Sequence, residues 1–440
     1  MGYFMQNSSR ELNFGKFNSI FKKSVILLIL ASLISPSLFS QEFGIKWKGF
    51  VKTDYFFDSR QTVDVREGHF HLYPQNELLG NEGEDINASP SLNMLSIQSR
   101  LTGIITGPEF LGAKSSGVLE GAFFGHSNGD INGFRLRHAF TKLNWENTEL
   151  LFGQTWHPMF IAECFPEVIS FNTGVPFIVF SRNPQVRLAY NFGKIKITAA
   201  LMSQRDFTSF GGSTSLRNAV LPDMQFQMRY KTNNFLIGGG AGYKELLPRL
   251  VTDLNYKADS RVKALSYMAY ARYDGEKFVF KAEGIFGANM FDGVMLGGYA
   301  QKVPGNLNDY STYDYREYTA INTLSVWSEI MSKGDSKVQY GLFGGYSKDL
   351  GSNDQIYDFQ STTSYYSRGS NIAYVYRISP RAVYTEGKMK FAVETEYTVA
   401  GYGDTRDSYG IVQDKSTEFP NAEINDISNF RLLFSAIYSF

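Results

Sequence analysis

The chain predicts an all-β fold: a transmembrane antiparallel β-barrel of about 16 strands, with short periplasmic turns and long extracellular loops. Three observations predict it. Aromatics are abundant, 27 Tyr and 37 Phe with 41 Gly in 440 residues, yet mean hydropathy is −0.23. A barrel strand needs only every second residue to be apolar, so aromatics accumulate while mean hydropathy stays modest. Segments of period-2 alternation recur along the chain, with gaps that are alternately long and short. Finally, RLLFSAIYSF (431–440) puts Leu432, Phe434, Ala436, Tyr438 and Phe440 on one parity, as a closing strand ending at the membrane interface would.

The first element expected is a leader. Arg10, Lys16, Lys22 and Lys23 precede VILLILASLI (25–34), an apolar run too short to span a bilayer, and SPSLFSQ (35–41) follows with small residues and a break. A signal peptide is expected over 1–40, cleaved near Ser40–Gln41, which would leave one barrel over 41–440. Forty-three basic and 43 acidic residues cancel, which offers no basic surface for nucleic acid. Cys164 is the one cysteine, so an exported chain of this size has no internal disulfide to rely on.

Strands are then expected in order at 45–57, 92–105, 117–126, 134–144, 149–155, 184–192, 194–205, 223–231, 234–243, 261–273, 277–289, 318–331, 337–346, 372–384, 388–401 and 427–440. The even-numbered gaps are mostly turn-like, as in WENT (145–148), KTNN (231–234), DGEK (274–277), KGDSK (333–337) and EGK (386–388). The odd-numbered gaps are mostly long: 58–91, 156–183, 290–317, 347–371 and 402–426. Turns on one rim and loops on the other are how an outer-membrane barrel is built.

If the apolar parity faces lipid, the other parity names the lumen. At 92–105, Leu95, Ile97 and Leu101 are expected outside, turning Ser96, Gln98, Arg100 and Thr102 inward. At 134–144, Phe134, Leu136 and Phe140 go out and Arg135 and Arg137 in; His138 falls on the outer parity, which suggests a subunit contact or a rim. The same alternation turns Arg187, Gln225, Gln227, Arg229, Arg377 and Arg381 inward, and an arginine on the lipid face at mid-membrane would cost roughly 2–4 kcal/mol. Arg100, Arg135, Arg137 and Arg187 come from nearby strands and are expected to form a basic wall, with Glu120 paired among them and Glu394 and Glu396 opposite. Such a field would favour small anions that arginine can grip bidentately. The gap 156–183 carries Met159, Phe160, Ile161, Phe165, Phe171, Phe177 and Phe180, too apolar for a solvated loop. It is expected to fold into the barrel as a constriction, with Glu163 and Glu167 toward the arginine wall.

SRLTGIITGP (99–108), VLEGAFFGHSNG (118–129), FRLRHAFTKLNW (134–145) and LLFGQTWHPMF (150–160) together resemble the DcaP-like outer-membrane porins, in which similar strands follow in this order. The match is best over about residues 44–192. The resemblance implies a sixteen-stranded trimeric porin admitting small anionic solutes such as dicarboxylates. Carried over by position, the family-like residues are Arg100, Glu120, Arg135, Arg137, His138, Gln154, Thr155 and Trp156. The chain departs from the pattern by reaching its first strand soon after the cleavage site, where DcaP-like proteins can carry a periplasmic helical segment.

Catalytic material is sparse. His69 and His71, near Asp64, Glu67 and Glu77, lack a third fixed ligand for a metal. His126, Ser127 and His157 offer no nucleophile elbow, and Cys164 in an apolar segment reads as packing. The stretches 305–317 and 350–370 are rich in Tyr, Asn, Ser and Asp, as exposed loops are. The sequence therefore predicts a passive diffusion porin of the bacterial outer membrane, with no enzymatic activity, cofactor, metal or nucleic acid. Its partners are expected to be small anionic solutes, outer-membrane lipid and lipopolysaccharide, and two further copies of itself. The alternative is a plugged barrel serving as a surface binding or adhesion protein.

Overall fold

A computed structural model describes residues 43–125 and 127–440. The expected leader over 1–40 lies outside the described residues, as does His126. The described chain closes into a barrel of sixteen antiparallel strands. These are β1 (Gly44–Asp58), β2 in two pieces (Ser91–Leu95 and Arg100–Thr106), β3 (Lys114–Phe123), β4 (Phe134–Asn144), β5 (Thr148–Trp156), β6 (Arg182–Phe192), β7 (Ile195–Met202) and β8 (Asp223–Lys231). The circuit continues through β9 (Phe235–Leu246), β10 (Val262–Asp274), β11 (Phe278–Ala288), β12 (Glu317–Ser332), β13 (Val338–Ser352), β14 (Ile372–Glu386), β15 (Met389–Tyr402) and β16 (Asn425–Ser439). β16 pairs with β1 from Phe50↔Ser439 to Asp58↔Arg431, which removes the sheet edges. Phe440 extends that seam, exchanging backbone hydrogen bonds of 3.0 and 3.1 Å with Gly49.

The alternation that predicted the strands also sets their faces. β10 shows it most plainly: Val262, Ala264, Ser266, Met268 and Tyr270 are buried while Leu265 and Tyr267 stand exposed on the belt. Connections at the end where β1 begins are tight. Gly193 and Gly387 take φ of +60° and +58° in two-residue turns, a conformation glycine adopts without steric cost. Connections at the other end are long, and several carry structure of their own. Loop 59–90 folds a hairpin, Thr62–Val65 against Phe70–Pro74. In loops 289–316 and 353–371, Gly297–Lys302 pairs with β12 and with Tyr365–Arg368.

Two local insertions overturn expected side-chain directions. Between the pieces of β2, residues 96–99 face only residues 51–53 of β1, since Leu95 is opposite Asp54 and Arg100 opposite Phe50. One extra residue reverses the parity. Leu92 and Met94 therefore face lipid, whereas Leu95 and Ile97 turn inward, Ile97 being part of the interior cluster; Leu101 is outward as expected. In β4 the register steps from Glu120↔His138 to Gly121↔Leu136, leaving Arg137 as the extra residue. Arg137 and His138 consequently both point inward and are buried. His138 is thus not at a lipid or subunit contact, and Phe140 moves to the inner parity with it, ring centroids 6.3 Å apart.

Candidate functional site

The inner face of β2–β6 carries the densest charge. Arg137 Nε donates to Glu120 Oε1 at 2.7 Å, Arg100 lies 3.5 Å from the same oxygen, and Thr102 donates to Glu120 Oε2 at 2.8 Å. Beyond them, Arg182 and Arg135 share Asp206 from loop 203–222, Arg182 Nη2 at 2.6 Å. Arg66, from the tip of the first-loop hairpin, donates to the Gly125 carbonyl at 2.9 Å. Aromatic faces separate these cations. The guanidinium carbons of Arg66, Arg135 and Arg137 lie 5.0, 5.8 and 5.3 Å from the centre of Phe124, and those of Arg137 and Arg182 lie 5.7 and 4.8 Å from Trp156.

Five arginines therefore meet two carboxylates, Glu120 and Asp206. The Nη1 atoms of Arg66, Arg135, Arg137 and Arg182 are buried and find no acceptor among the described residues. Each buried donor without a partner costs about 1–3 kcal/mol, so these guanidiniums keep hydrogen-bonding capacity unspent beside their surplus charge.

The opposite wall is used differently. Loop 157–181 runs through the interior, and its backbone is moored by carboxylates of the inner parity. Glu329 accepts from Glu167 N at 2.9 Å, Glu394 accepts from Ile169 N and Ser170 N at 2.8 and 2.9 Å, and Glu396 accepts from Asn172 Nδ2 at 2.7 Å. Arg377 donates to the carbonyls of Val175 and Leu72, binding this loop and the first-loop hairpin to one strand. His69 meets Asp54 at 2.7 Å and His71 meets Glu396 at 3.1 Å. The loop needs these anchors because its apolar side chains, including Met159, Phe171, Phe177 and Phe180, would each lose about 1.5–3 kcal/mol in water. They join Phe70, Met295 and Trp327 in a cluster that extends from Ile97 and Ala122 on one side of the lumen to Val375 and Ala400 on the other.

The sequence-expected residues thus separate into groups. Arg100, Glu120, Arg135 and Arg137 are brought together. Arg187 faces inward, but Gln185 and the Trp156 carbonyl occupy its guanidinium. Arg229 pairs with Glu163, and Arg381 with Glu329 at 2.8 Å. Two expectations are corrected. Glu163 and Glu167 do not face the arginine wall: Glu163 also binds Lys231 at 2.6 Å, and Glu167 binds Lys281 at 2.7 Å, because the loop crosses to the far wall. Nor do Glu394 and Glu396 form a bare acidic wall, since loop amides and His71 take up their oxygens. Of the other family-like residues, Thr155 Oγ1 lies 3.1 Å from His138 Nδ1 and Gln154 donates to the Arg137 carbonyl at 3.1 Å.

Sequence reading missed Arg66, Arg182 and Asp206, which lie in or beside loops where parity assigns no direction. It also passed over Lys52, Asp54, Asp58, Lys281, Glu283, Glu329 and Arg431, whose inward parity was readable. Arg431 illustrates the pattern, with Nη2 2.6 Å from Asp58 across the closing seam. His157 accepts from Met159 N at 3.1 Å, and burial presses its pKa down to about 3. Burial pushes the Cys164 thiol up to about 12, far from thiolate chemistry. Among the described residues, no three His, Cys, Asp or Glu side chains are grouped to hold a metal.

No protein-family model and no curated protein matches the chain. Solved structures do. The outer-membrane channel DcaP of Acinetobacter baumannii aligns at 15% identity over 92% of this chain and 100% of its own, with a TM-score of 0.63. An anion-selective porin from Comamonas acidovorans and the trimer form of OmpT, an outer membrane protein of Vibrio cholerae, each align at 11% identity over 91% of this chain and 100% of theirs, both with a TM-score of 0.53. The sixteen-stranded closed barrel, with its apolar outer belt and charged interior, is therefore built on the fold of the outer-membrane porins.

Proposed function

We propose that the chain is an outer-membrane porin that passes small hydrophilic solutes through its lumen, favours anions of the dicarboxylate kind, and works as a homotrimer. The observation that carries this reading is the surplus of inward arginines over carboxylates on β2–β6, with guanidinium donors left free. Two carboxylates on one solute match paired guanidiniums better than a halide does, because each fork takes two oxygens. Loop 157–181 acts in this reading as the constriction that brings solutes against the arginines. Likeness of fold to an anion-selective porin and to a barrel in trimer form agrees with both parts.

Proteoliposome swelling tests it. Succinate should enter faster than an uncharged solute of equal size, and Arg135→Ala/Arg137→Ala should reduce that ratio several-fold while leaving uncharged entry unchanged or faster. Equal entry of both solutes in the wild type would contradict the anion preference.

The apolar cluster spanning the lumen favours a second reading, a plugged barrel that binds a partner at the cell surface. Folded, inserted protein that admits neither solute would favour it over the porin.

A further inference from the structure

The lipid-facing belt is not uniformly bulky. On the outer parity of β7 and β9, Ala199 and Ala241 stand between Leu188, Phe226 and Tyr267. They hollow a furrow that continues toward β5 on one side and β12 on the other, in three adjoining hollows of about 460, 520 and 550 Å³. Adjacent hollows share lining residues, Val186 and Leu201 between the first two and Tyr243 and Leu265 between the second and third. The floor is apolar, with Leu201, Leu265, Tyr267 and Phe286 exposed outward.

Its upper edge, at the long-loop rim, is cationic. A short helix, Ser213–Ala219, carries Arg217, whose one side-chain bond is to Thr214 Oγ1 at 3.0 Å. Arg261 Nη1 ties the end of that helix to the barrel, donating to the Ala219 carbonyl at 2.9 Å and to Glu245 Oε1 at 2.7 Å. Lys263 stands opposite Glu245 in the β9–β10 register, exposed on the outer parity directly above Leu265 and Tyr267. Arg261 already neutralises Glu245, and Lys302 lies 3.8 Å from the acid at the far edge, Asp354. Arg217 forms no salt bridge among the described residues, and Lys263, which faces Glu245 and acts on its charge, stands beyond salt-bridge distance of it.

Two free cations at the rim, with an apolar furrow running roughly 7–13 Å down the strand beneath them, order charge and grease as an amphiphile does. We propose that this furrow binds a phosphorylated, multiply acylated glycolipid of the outer leaflet, its phosphates held by Arg217 and Lys263 and its acyl chains laid along Ala199, Ala241 and Leu265. The site rests on the outer-membrane reading of the barrel and is independent of conduction, since all its residues lie outside the lumen. An unphosphorylated lipid would fill the furrow without engaging the rim, so phosphate dependence distinguishes the proposed occupant.

Native mass spectrometry of the detergent-solubilised full barrel, titrated with bisphosphorylated lipid A and with its dephosphorylated form, tests this. The wild type should hold the bisphosphorylated lipid more tightly. Arg217→Gln/Lys263→Gln, which spares the bonds of Arg261, should weaken it by roughly fivefold per charge removed and leave the dephosphorylated lipid unaffected. A shift in migration on heating equal to that of the wild type establishes that the variant is folded. Equal affinity of wild type and variant for bisphosphorylated lipid A would overturn the proposal. So would a Leu265→Cys thiol shielded from a membrane-soluble maleimide by neighbouring copies and freed when they dissociate, since a second protomer would then occupy the furrow. A silent wild-type channel would sink the porin reading and leave this binding result standing.

Discussion

Arg137 and His138 sit side by side on the inner face of β4, and no alternation of polar and apolar residues could have announced it. The parity of Arg100, Arg135 and Arg137 was legible because each is flanked by Leu or Phe and because lipid rejects arginine. The bulge that turns His138 inward was not, since one inserted residue leaves the composition unchanged. At this scale the chemistry of arginine matters more than its charge. Arg137→Lys keeps the charge but loses the planar fork that reaches Glu120, and is expected to lower dicarboxylate preference without altering small-anion preference, as read from relative uptake of succinate and chloride. His71 offers a second residue-scale prediction. Burial, reinforced by Arg377 and Arg431, holds its pKa near 4 against an ordinary value of 6.5, although Glu396 pulls the other way. The undocked hairpin therefore binds a proton that the docked one refuses, so docking is strongest above about pH 6.5 and weakens as pH falls toward 4, by on the order of 3 kcal/mol. Protection factors over 62–74, taken relative to the intrinsic exchange rate at each pH, should fall between pH 7 and 4.5, and His71→Gln should flatten that dependence.

Strands were far easier to read than loops. Each of the sixteen expected segments overlaps a strand of the barrel, and the alternation of long and short gaps matches its two rims. A strand's pattern is set by the two media it separates, which the sequence records residue by residue. Loop 157–181 reveals itself by composition as needing burial, but composition carries no direction, and the wall it meets is decided by distant partners: Glu329, Glu394 and Arg377. Glu394→Ala should therefore loosen the loop specifically. It leaves the buried Ser170 N–H and the half-buried Ile169 N–H without an acceptor, at about 1–3 kcal/mol for the buried one, and hydrogen exchange at 169–170 should rise while exchange in β15 stays low. Uniform loss of protection around the barrel would mean instead that Glu394 supports the wall rather than the loop.

For the molecule as a whole, closure is the central structural event, and its last contact is the exchange between Phe440 and Gly49. Removing Phe440 should impair assembly of a barrel that migrates differently before and after heating; undiminished assembly would show that the seam is secure without it. The unequal interior is the molecule's second global feature: acids of one wall are spent on holding loops, which leaves the arginines of the other uncompensated. The central claim, a conducting lumen with an anion bias set by those arginines, is tested most directly in a planar bilayer under a salt gradient, wild type against Arg135→Ala/Arg137→Ala. Stepwise openings with a reversal potential on the anion side, moved toward zero in the double variant, are the predicted result. A folded, inserted protein that stays silent, or one whose reversal potential the substitutions leave untouched, would contradict it.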